Sequence, residues 1–252
     1  MAVVLDLDGV VWLADRAIPG SSGAVARLRA DGHRVLFLTN NSNPTLAELT
    51  AKLAGVGIPA EAEDVLSSAA TAASLLEPGS TALVCAGEGV REALRHRGVI
   101  EVTDGSVPDA VVVGLTLAFD YAQLRAASVA IRHGARFVAT NDDATYPTPD
   151  GPIPGSGSLV AAVATASGQP AEIAGKPYPA TVERIKGLTG GEALTVVGDR
   201  PDTDGLLAQR LGARFALVLT GVTTAADLPV SPAPDLVAHD LAAAVAGLDP
   251  SS

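Results

Sequence analysis

The stretch Val3-Val4-Leu5-Asp6-Leu7-Asp8-Gly9-Val10-Val11 decides how the rest of the chain is read. An apolar run leads straight into two acids and a glycine, the pattern of a buried strand whose carboxyl end opens onto a turn. Residues two apart on a strand share a face, so Asp6 and Asp8 can face one site, and Gly9 lets the backbone turn sharply away. Two carboxylates so close need a cation or a shared proton. In open α/β sheets the carboxyl ends of the strands are where ligands bind. Taken alone, the same residues also describe a strand ending in a solvated Asp-Gly turn.

Outward from this stretch, short Val- and Leu-rich runs alternate with Ala- and Leu-rich segments of helical period, the signature of βαβ units and hence of a parallel sheet. A helix over about 22–30 precedes a strand at Arg34 to Thr39, and Thr45 with Glu48 forms a capping box that opens a helix ending near Gly55 or Gly57. From about Ser67 the pattern restarts with a short Ala-rich helix, a strand at Ala82 to Cys85, a helix from Gly89 to Arg97 and a strand at Ala110 to Leu115. Asp120 with Gln123 opens a further helix, and a strand follows at Arg136 to Thr140. The segment from Thr140 to Ser158 concentrates Pro, Gly, Asp and Asn, which predicts a long surface loop with a functional role. Beyond it come a helix at 159–167, a strand at 172–174, a helix at 179–188, a strand at 194–197, a helix at 204–211 and strands at 215–219 and 236–238. The predicted fold class is α/β: a doubly wound parallel core built from residues 1–66 and 175–252, with a smaller α/β domain, 67–174, inserted into it.

Composition agrees with a soluble globular protein. Of 252 residues, 48% are hydrophobic and 18% charged, which is too apolar for disorder, yet no apolar run is long enough to span a bilayer. With 17 Lys and Arg against 28 Asp and Glu the net charge is −11, so attraction to a phosphate backbone cannot drive nucleic-acid binding. No membrane partner is expected either. A single cysteine, Cys85, excludes an internal disulfide, and the amino terminus lacks the basic and apolar regions of a secretory signal, so the expected compartment is the cytoplasm. Cys85 lies in an apolar strand with no basic neighbour and reads as a buried structural thiol. Trp12 reads as packing beside the site entrance. The chain carries none of the glycine-rich or nucleophile-elbow motifs of dehydrogenases, nucleoside triphosphatases or serine hydrolases.

Three more strand ends carry chemistry. Leu36 to Asn41 is an apolar strand that ends in a hydroxyl and amides, suited to donating hydrogen bonds to an oxyanion. Gly175-Lys176-Pro177 places a lysine after a short strand, where it could neutralise phosphate and carboxylate charge. Val196 to Asp204 is another strand running into an acid-rich turn. Each is commonplace alone, as a capped turn or a solvated charge. Together they set paired acids, a hydroxyl with an amide, a lysine and further acids along the carboxyl edge of one parallel sheet.

With these residues in place, the sequence resembles the haloacid dehalogenase superfamily of aspartyl-phosphate-forming hydrolases. Asp6 to Val10 (DLDGV) looks like its first motif, Leu36 to Ser42 (LFLTNNS) its second, Ala174 to Pro177 (AGKP) its third and Val197 to Asp204 (VGDRPDTD) its fourth. The form of the last three is similar to the nitrophenylphosphatase, or NagD-type, branch. The resemblance implies a Rossmann-like core and a mobile cap. Only 33 residues separate Asp6 from Thr39 whereas 137 separate Thr39 from Lys176, so a cap domain fits only in the second gap.

The resemblance implies a Mg²⁺-dependent phosphatase acting on small phosphorylated metabolites. Asp6 would be the nucleophile and Asp8 the proton donor and acceptor. Mg²⁺ would be held by the Asp6 carboxylate, the Asp8 backbone carbonyl and Asp199, with Asp204 supporting the ligands from outside and Asp202 either doing the same or lying solvated in the turn. Thr39, the Asn40 amide and Lys176 would bind the phosphoryl oxygens. Asn141, Asp142 and Asp143 of the long loop would select the leaving group, and relatives admit a homodimer formed through the cap. Two other readings stay open: a phosphotransferase using the same aspartyl-phosphate, and a non-catalytic phosphate-ligand binding protein.

Overall fold

In the computed structural model, strand β1 (Ala2–Asp6) lies wholly buried and hydrogen-bonded on both sides. The described residues are 1–252 without 15, 104, 147–150 and 249–252. After β1 come a two-residue hairpin, β2 (Trp12–Leu13) and β3 (Arg16–Ala17), then α1 (Ser21–Ala30), β4 (Arg34–Thr39), α2 (Leu46–Gly55) and β5 (Val65–Ser67). The middle of the chain forms α3 (Ser68–Ser74), β6 (Thr81–Cys85), α4 (Glu88–Arg97), β7 (Ile100–Glu101), β8 (Ala110–Val113), α5 (Tyr121–Arg132) and β9 (Arg136–Ala139). It continues through β10 (Thr145–Tyr146), β11 (Ile153–Pro154), α6 (Ser156–Ser167) and β12 (Glu172–Ile173). The last part is α7 (Pro179–Thr189), β13 (Leu194–Gly198), α8 (Leu206–Leu211), β14 (Arg214–Val218), β15 (Leu236–Ala238) and α9 (Leu241–Leu248). The chain divides into two compact units, 1–39 with 49–66 and 182–252, and 40–48 with 67–181.

The first unit is built on a six-stranded sheet of order β15-β14-β13-β1-β4-β5. Every pair from β15 to β4 is parallel, and Val4 lies level with both Val196 and Leu36. Alternation along the strands fills two faces. Val4, Leu36, Leu38, Val196, Phe215 and Leu217 pack with Val182 and Ile185 of α7 and Leu207 of α8. Helices α1 and α9 pack together, α1 also against β4 and α9 against β14 and β15, so the sheet is wound on both sides. Full burial of each such Leu, Ile or Phe contributes about 1.5–3 kcal/mol. The order runs outward from β1 in one direction through β4 and in the other through β13, so the sheet's topological switch point lies between β1 and β13.

The second unit has a five-stranded, all-parallel sheet of order β12-β9-β8-β6-β7. One face packs Ala82, Val84 and Val112 against α3 and α4, and the other packs Cys85, Val111 and Phe137 against α5 and α6. Cys85 is fully buried, and burial pushes its thiol up to about 11. Residues 40–48 belong to this unit because they seat against its strand ends. Gly89 N–H donates to the Asn43 carbonyl at 2.9 Å and Leu46 N–H to a Glu92 carboxylate oxygen at 2.7 Å. A Cβ on Gly114 would stand 2.9 Å from Ser42 Oγ.

The elements differ from the sequence reading in several places, among them the short strands β5 and β7, which it did not include. The long loop after Thr140 contains a short antiparallel ladder, with Thr145 opposite Pro154 and Tyr146 opposite Ile153, while its residues 147–150 lie outside the described ones. The helix expected from Asp204 starts at Leu206, because residues 201–205 form a wide turn in which the Arg200 carbonyl accepts from Thr203, Asp204 and Gly205 N–H. Such i→i+5 turns recur at functional sites. The hairpin Trp12–Leu13/Arg16–Ala17 is too short to show a period of two.

Candidate active site

In the first unit, β1 delivers Asp6 and β13 delivers Asp199, one from each side of the switch point. Asp6 is buried, and one of its carboxylate oxygens accepts from Leu7 N–H at 2.7 Å. Asp199 is buried and held by the segment after β14: Val222 N–H donates to Oδ2, and Thr223 N–H donates to the Asp199 carbonyl at 3.3 Å. Asp204 is buried as well, with Oδ2 accepting from Arg200 N–H at 3.2 Å. A carboxylate oxygen from each of Asp6, Asp199 and Asp204 lies within 4.8 Å of the others.

Glycine keeps this cluster close. Gly9 has φ 86°, and a Cβ there would fall 2.6 Å from Asp199 Oδ2; one on Gly221 would fall 1.9 Å from the same oxygen. On Gly198 a Cβ would meet the Asp204 carboxyl carbon at 2.1 Å. No side chain larger than hydrogen fits at these positions without displacing a carboxylate. Thr220 ties the segments together by donating its hydroxyl to the Gly9 carbonyl at 2.6 Å.

Three buried carboxylates at this separation repel strongly unless a cation or protons lie between them. The donor set is all hard oxygen, with neither sulfur nor imidazole, and it fits Mg²⁺, which takes one or two carboxylates and keeps waters. Asp8, half-buried, accepts from Trp12 Nε1 at 3.0 Å. Thr39, buried, ends β4 beside β1, where Leu38 lies level with Asp6. Asp202 stands apart: its side chain is 68% exposed and pairs with the Arg200 guanidinium at 3.2 Å.

The second unit brings together another group. Asn40 Oδ1 accepts from Lys176 N–H at 2.9 Å, and Asn40 Nδ2 donates to the Lys176 carbonyl at 3.0 Å and to Asp143 Oδ2 at 3.2 Å. The Asn40 side chain thus holds the backbone on both sides of the lysine, and Lys176 is buried. Gly175 permits this, since a Cβ there would sit 2.5 Å from Asn40 Oδ1. Asn141 is turned inward: Nδ2 donates to the Asn40 carbonyl at 2.6 Å and to Thr140 Oγ1 at 3.3 Å, and Oδ1 accepts from Asp143 N–H at 3.1 Å. Asp142 is exposed and accepts from the Tyr178 hydroxyl.

Sequence reasoning missed the 220–222 segment, Arg200 as the carbonyl anchor of the wide turn, and the bond from Trp12 to Asp8. For the first, the signal is present in Leu219-Thr220-Gly221, a hydroxyl and a glycine directly after a strand, which is the same grammar as Thr39 and Gly9.

Comparison with known proteins agrees with this geometry. Residues 3–100 match a family model described as haloacid dehalogenase-like hydrolase, and 173–244 match a second described as HAD-hydrolase-like. The chain is 38% identical over 248 residues to D-glycerol 3-phosphate phosphatase of Mycobacterium tuberculosis, covering 95% of this chain and 69% of the relative. It is similar to the crystal structure of glycerol phosphate phosphatase from M. tuberculosis in complex with magnesium, with a TM-score of 0.89 and 37% identity over 96% of this chain and 75% of that one. It is also similar to p-nitrophenyl phosphatase from Archaeoglobus fulgidus, with a TM-score of 0.92 and 29% identity over 98% of each chain. Motifs, switch-point geometry and relatives therefore coincide, and the chain belongs to the haloacid dehalogenase-like hydrolases, in their NagD and nitrophenylphosphatase branch.

Proposed function

We propose that this protein is a Mg²⁺-dependent phosphatase that hydrolyses small phosphate monoesters through a covalent aspartyl-phosphate on Asp6. The observation that carries the reading is the position of Asp6, at the end of the central strand, at the switch point, inside a buried cluster with Asp199 and Asp204. A carboxylate oxygen of Asp6 attacks phosphorus as the ester P–O bond breaks, and the leaving oxygen takes a proton from Asp8. Asp8 then accepts a proton from water, whose oxygen displaces Asp6 from phosphorus and releases inorganic phosphate. Asp6, the Asp8 carbonyl and Asp199 would hold Mg²⁺ beside Asp204, and the chemistry it supplies when bound is neutralisation of charge on the phosphoryl oxygens. The Thr39 hydroxyl, the Asn40 backbone N–H and the Lys176 ammonium bind those oxygens.

The functional partition in this reading is a catalytic core of 1–66 and 175–252 and an inserted cap of 67–174. Within the cap loop, exposed Asp142 is the residue we assign foremost to the leaving group, with Asn141 and Asp143, bonded to each other, supporting it; the Tyr178 hydroxyl, from the segment after Lys176, donates to Asp142. The partner is a small phosphorylated metabolite, and glycerol phosphate, on which a relative acts by its name, heads the panel to be assayed. The reading extends to a cytoplasmic enzyme and to a homodimer through the cap, where Leu117 and Tyr121 are exposed. Among the described residues, no helix is long and apolar enough to cross a membrane.

Phosphate release from 4-nitrophenyl phosphate and from glycerol phosphate, with and without Mg²⁺ and with added alcohols, tests the proposal. Mg²⁺-dependent release of free phosphate supports it. Transfer to the added alcohol in preference to water would make the protein a phosphotransferase, and tight binding without turnover would make it a binding protein.

A further inference from the structure

Trp12 is 1% exposed, and a buried indole N–H needs a hydrogen-bond acceptor. Its acceptor is Asp8 Oδ1 at 3.0 Å. The backbone between the two residues is closed by further bonds: Gly9 N–H donates to the Trp12 carbonyl at 2.7 Å, and Val11 and Trp12 N–H both donate to the Leu7 carbonyl at 2.9 and 3.2 Å. The ring face is covered by Lys52, whose Nζ lies 4.4 Å from the ring centroid and donates to the Ala14 carbonyl at 2.6 Å. Ala14 itself has φ 49°, a left-handed conformation rarely adopted by a residue with a Cβ, so the hairpin that carries Trp12 is held against its local preference. The indole is thus fixed at its edge, its face and its backbone.

We infer that Trp12 is a positioning residue for proton transfer: by donating to Oδ1 it fixes the orientation of the Asp8 carboxylate. The inference rests on the phosphatase reading, in which Asp8 serves the leaving group. An indole N–H can only donate, so the contact holds the Asp8 carboxyl group by an oxygen that accepts in both its ionised and its acid form. The proton passes from Asp8 to the ester oxygen as the P–O bond breaks and the electron pair stays on oxygen. In the second half-reaction Asp8 takes a proton from the attacking water, so the group returns to its starting state. Misorientation of the carboxylate slows the step in proportion to how much the leaving group needs a proton.

Trp12→Phe keeps an aromatic ring for Lys52 to cover and removes the N–H donor together with part of the indole's bulk, whose loss affects both esters alike. The decisive measurement is the single-turnover rate of Asp6 phosphorylation for wild type, Trp12→Phe, Asp8→Asn and the double variant. The substrates are 4-nitrophenyl phosphate, whose phenolate leaves without a proton, and glycerol phosphate, whose alkoxide does not. Trp12→Phe should slow the glycerol ester about 2- to 13-fold, the worth of one hydrogen bond, with a distinctly smaller loss on the aryl ester. In the Asp8→Asn background it should add no more loss on the glycerol ester than on the aryl ester. Because Trp12 is the chain's single tryptophan, Asp8→Ala, which removes the acceptor altogether, should also shift the fluorescence emission. Equal losses on both esters, or an excess loss on the glycerol ester that persists in the double variant, would overturn the inference while leaving an active phosphatase. Unchanged emission in Asp8→Ala would overturn the contact itself. A wild type that turns over neither ester would bring down the phosphatase reading and the proton-transfer role together, with the emission still deciding the contact.

Discussion

At Asp199 the protein commits two glycines and the Val222 N–H to the position of one side chain, and the Thr223 N–H to the carbonyl of the same residue. That investment separates it from Asp202, three residues on, which is solvated and, among the described residues, paired only with Arg200. Asp199→Ala should raise the Mg²⁺ concentration needed for half-maximal activity by about 100-fold or more, as loss of a ligand exceeds the 10–100-fold typical of its supporting partners. Asp202→Ala removes an exposed ion pair worth about 0–1 kcal/mol and should change that requirement less than about fivefold. A Mg²⁺ titration of both variants checks the order. Asp6→Asn should fold normally and lose about 10⁴-fold or more in turnover, because an amide is a poor nucleophile; phosphate release and a thermal melt together test this. For Asn141 the structure changes the expectation drawn from the loop's composition. Its amide is spent on Asn40 and Asp143, so Asn141→Ala should lower kcat/KM to a similar degree for polar and aryl phosphates, about 2- to 13-fold, by loosening the Asn40–Lys176 pair. A loss confined to the polar ester would instead place Asn141 against the substrate.

Among the elements, the start of α2 shows how local chemistry survives into the fold. Glu48 N–H donates to Thr45 Oγ1 at 3.2 Å and Thr45 N–H donates to Glu48 Oε2 at 2.8 Å, the reciprocal bonds of a capping box. Those bonds hold the Glu48 carboxyl below its ordinary value of 4.5, the backbone bond from Thr45 contributing most. A lowered folded-state value means that the stabilisation is present above pH 4.5 and fades as the pH falls through the range below it. Thr45→Ala should therefore cost about 1 kcal/mol in urea unfolding at pH 7 and less than that at pH 3.5. The 201–205 turn behaves differently. Its wide bonding to the Arg200 carbonyl depends on Asp204 being drawn inward beside Gly198, and nothing in its helix-like periodicity announces it.

For the whole molecule, the cost of gathering Asp6, Asp199 and Asp204 in a buried cluster ties stability to the cation. A ligand that binds only the folded state stabilises by about 2.7 kcal/mol at a hundred times its Kd. In a chain of this size that is a Tm rise of roughly 5–11 °C. Calorimetry with and without Mg²⁺ should show a rise in this range for the wild type and a much smaller one for Asp199→Ala. An equal rise in both would place the bound cation elsewhere on this acidic chain.

Much of the architecture was legible before any coordinates. Parallel strands buried on both faces read as continuous Val and Leu runs, caps such as Thr45–Glu48 and Asp120–Gln123 are local pairs, and the two sheets sit where those runs fall. The identity of the strand-end residues was equally local, since Asp6, Thr39, Lys176 and Asp199 each follow an apolar run. Tertiary structure alone decided their partners. That Asp204 joins Asp6 and Asp199, that Asn40 grips the backbone of Lys176 136 residues away, and that Gly221 clears room for Asp199 depend on strand order and close approach. The physical reason is range: propensity, periodicity and capping act over a few neighbouring residues, whereas repulsion between buried carboxylates and exclusion of a Cβ act through space, between segments whose proximity exists only once the sheets have formed.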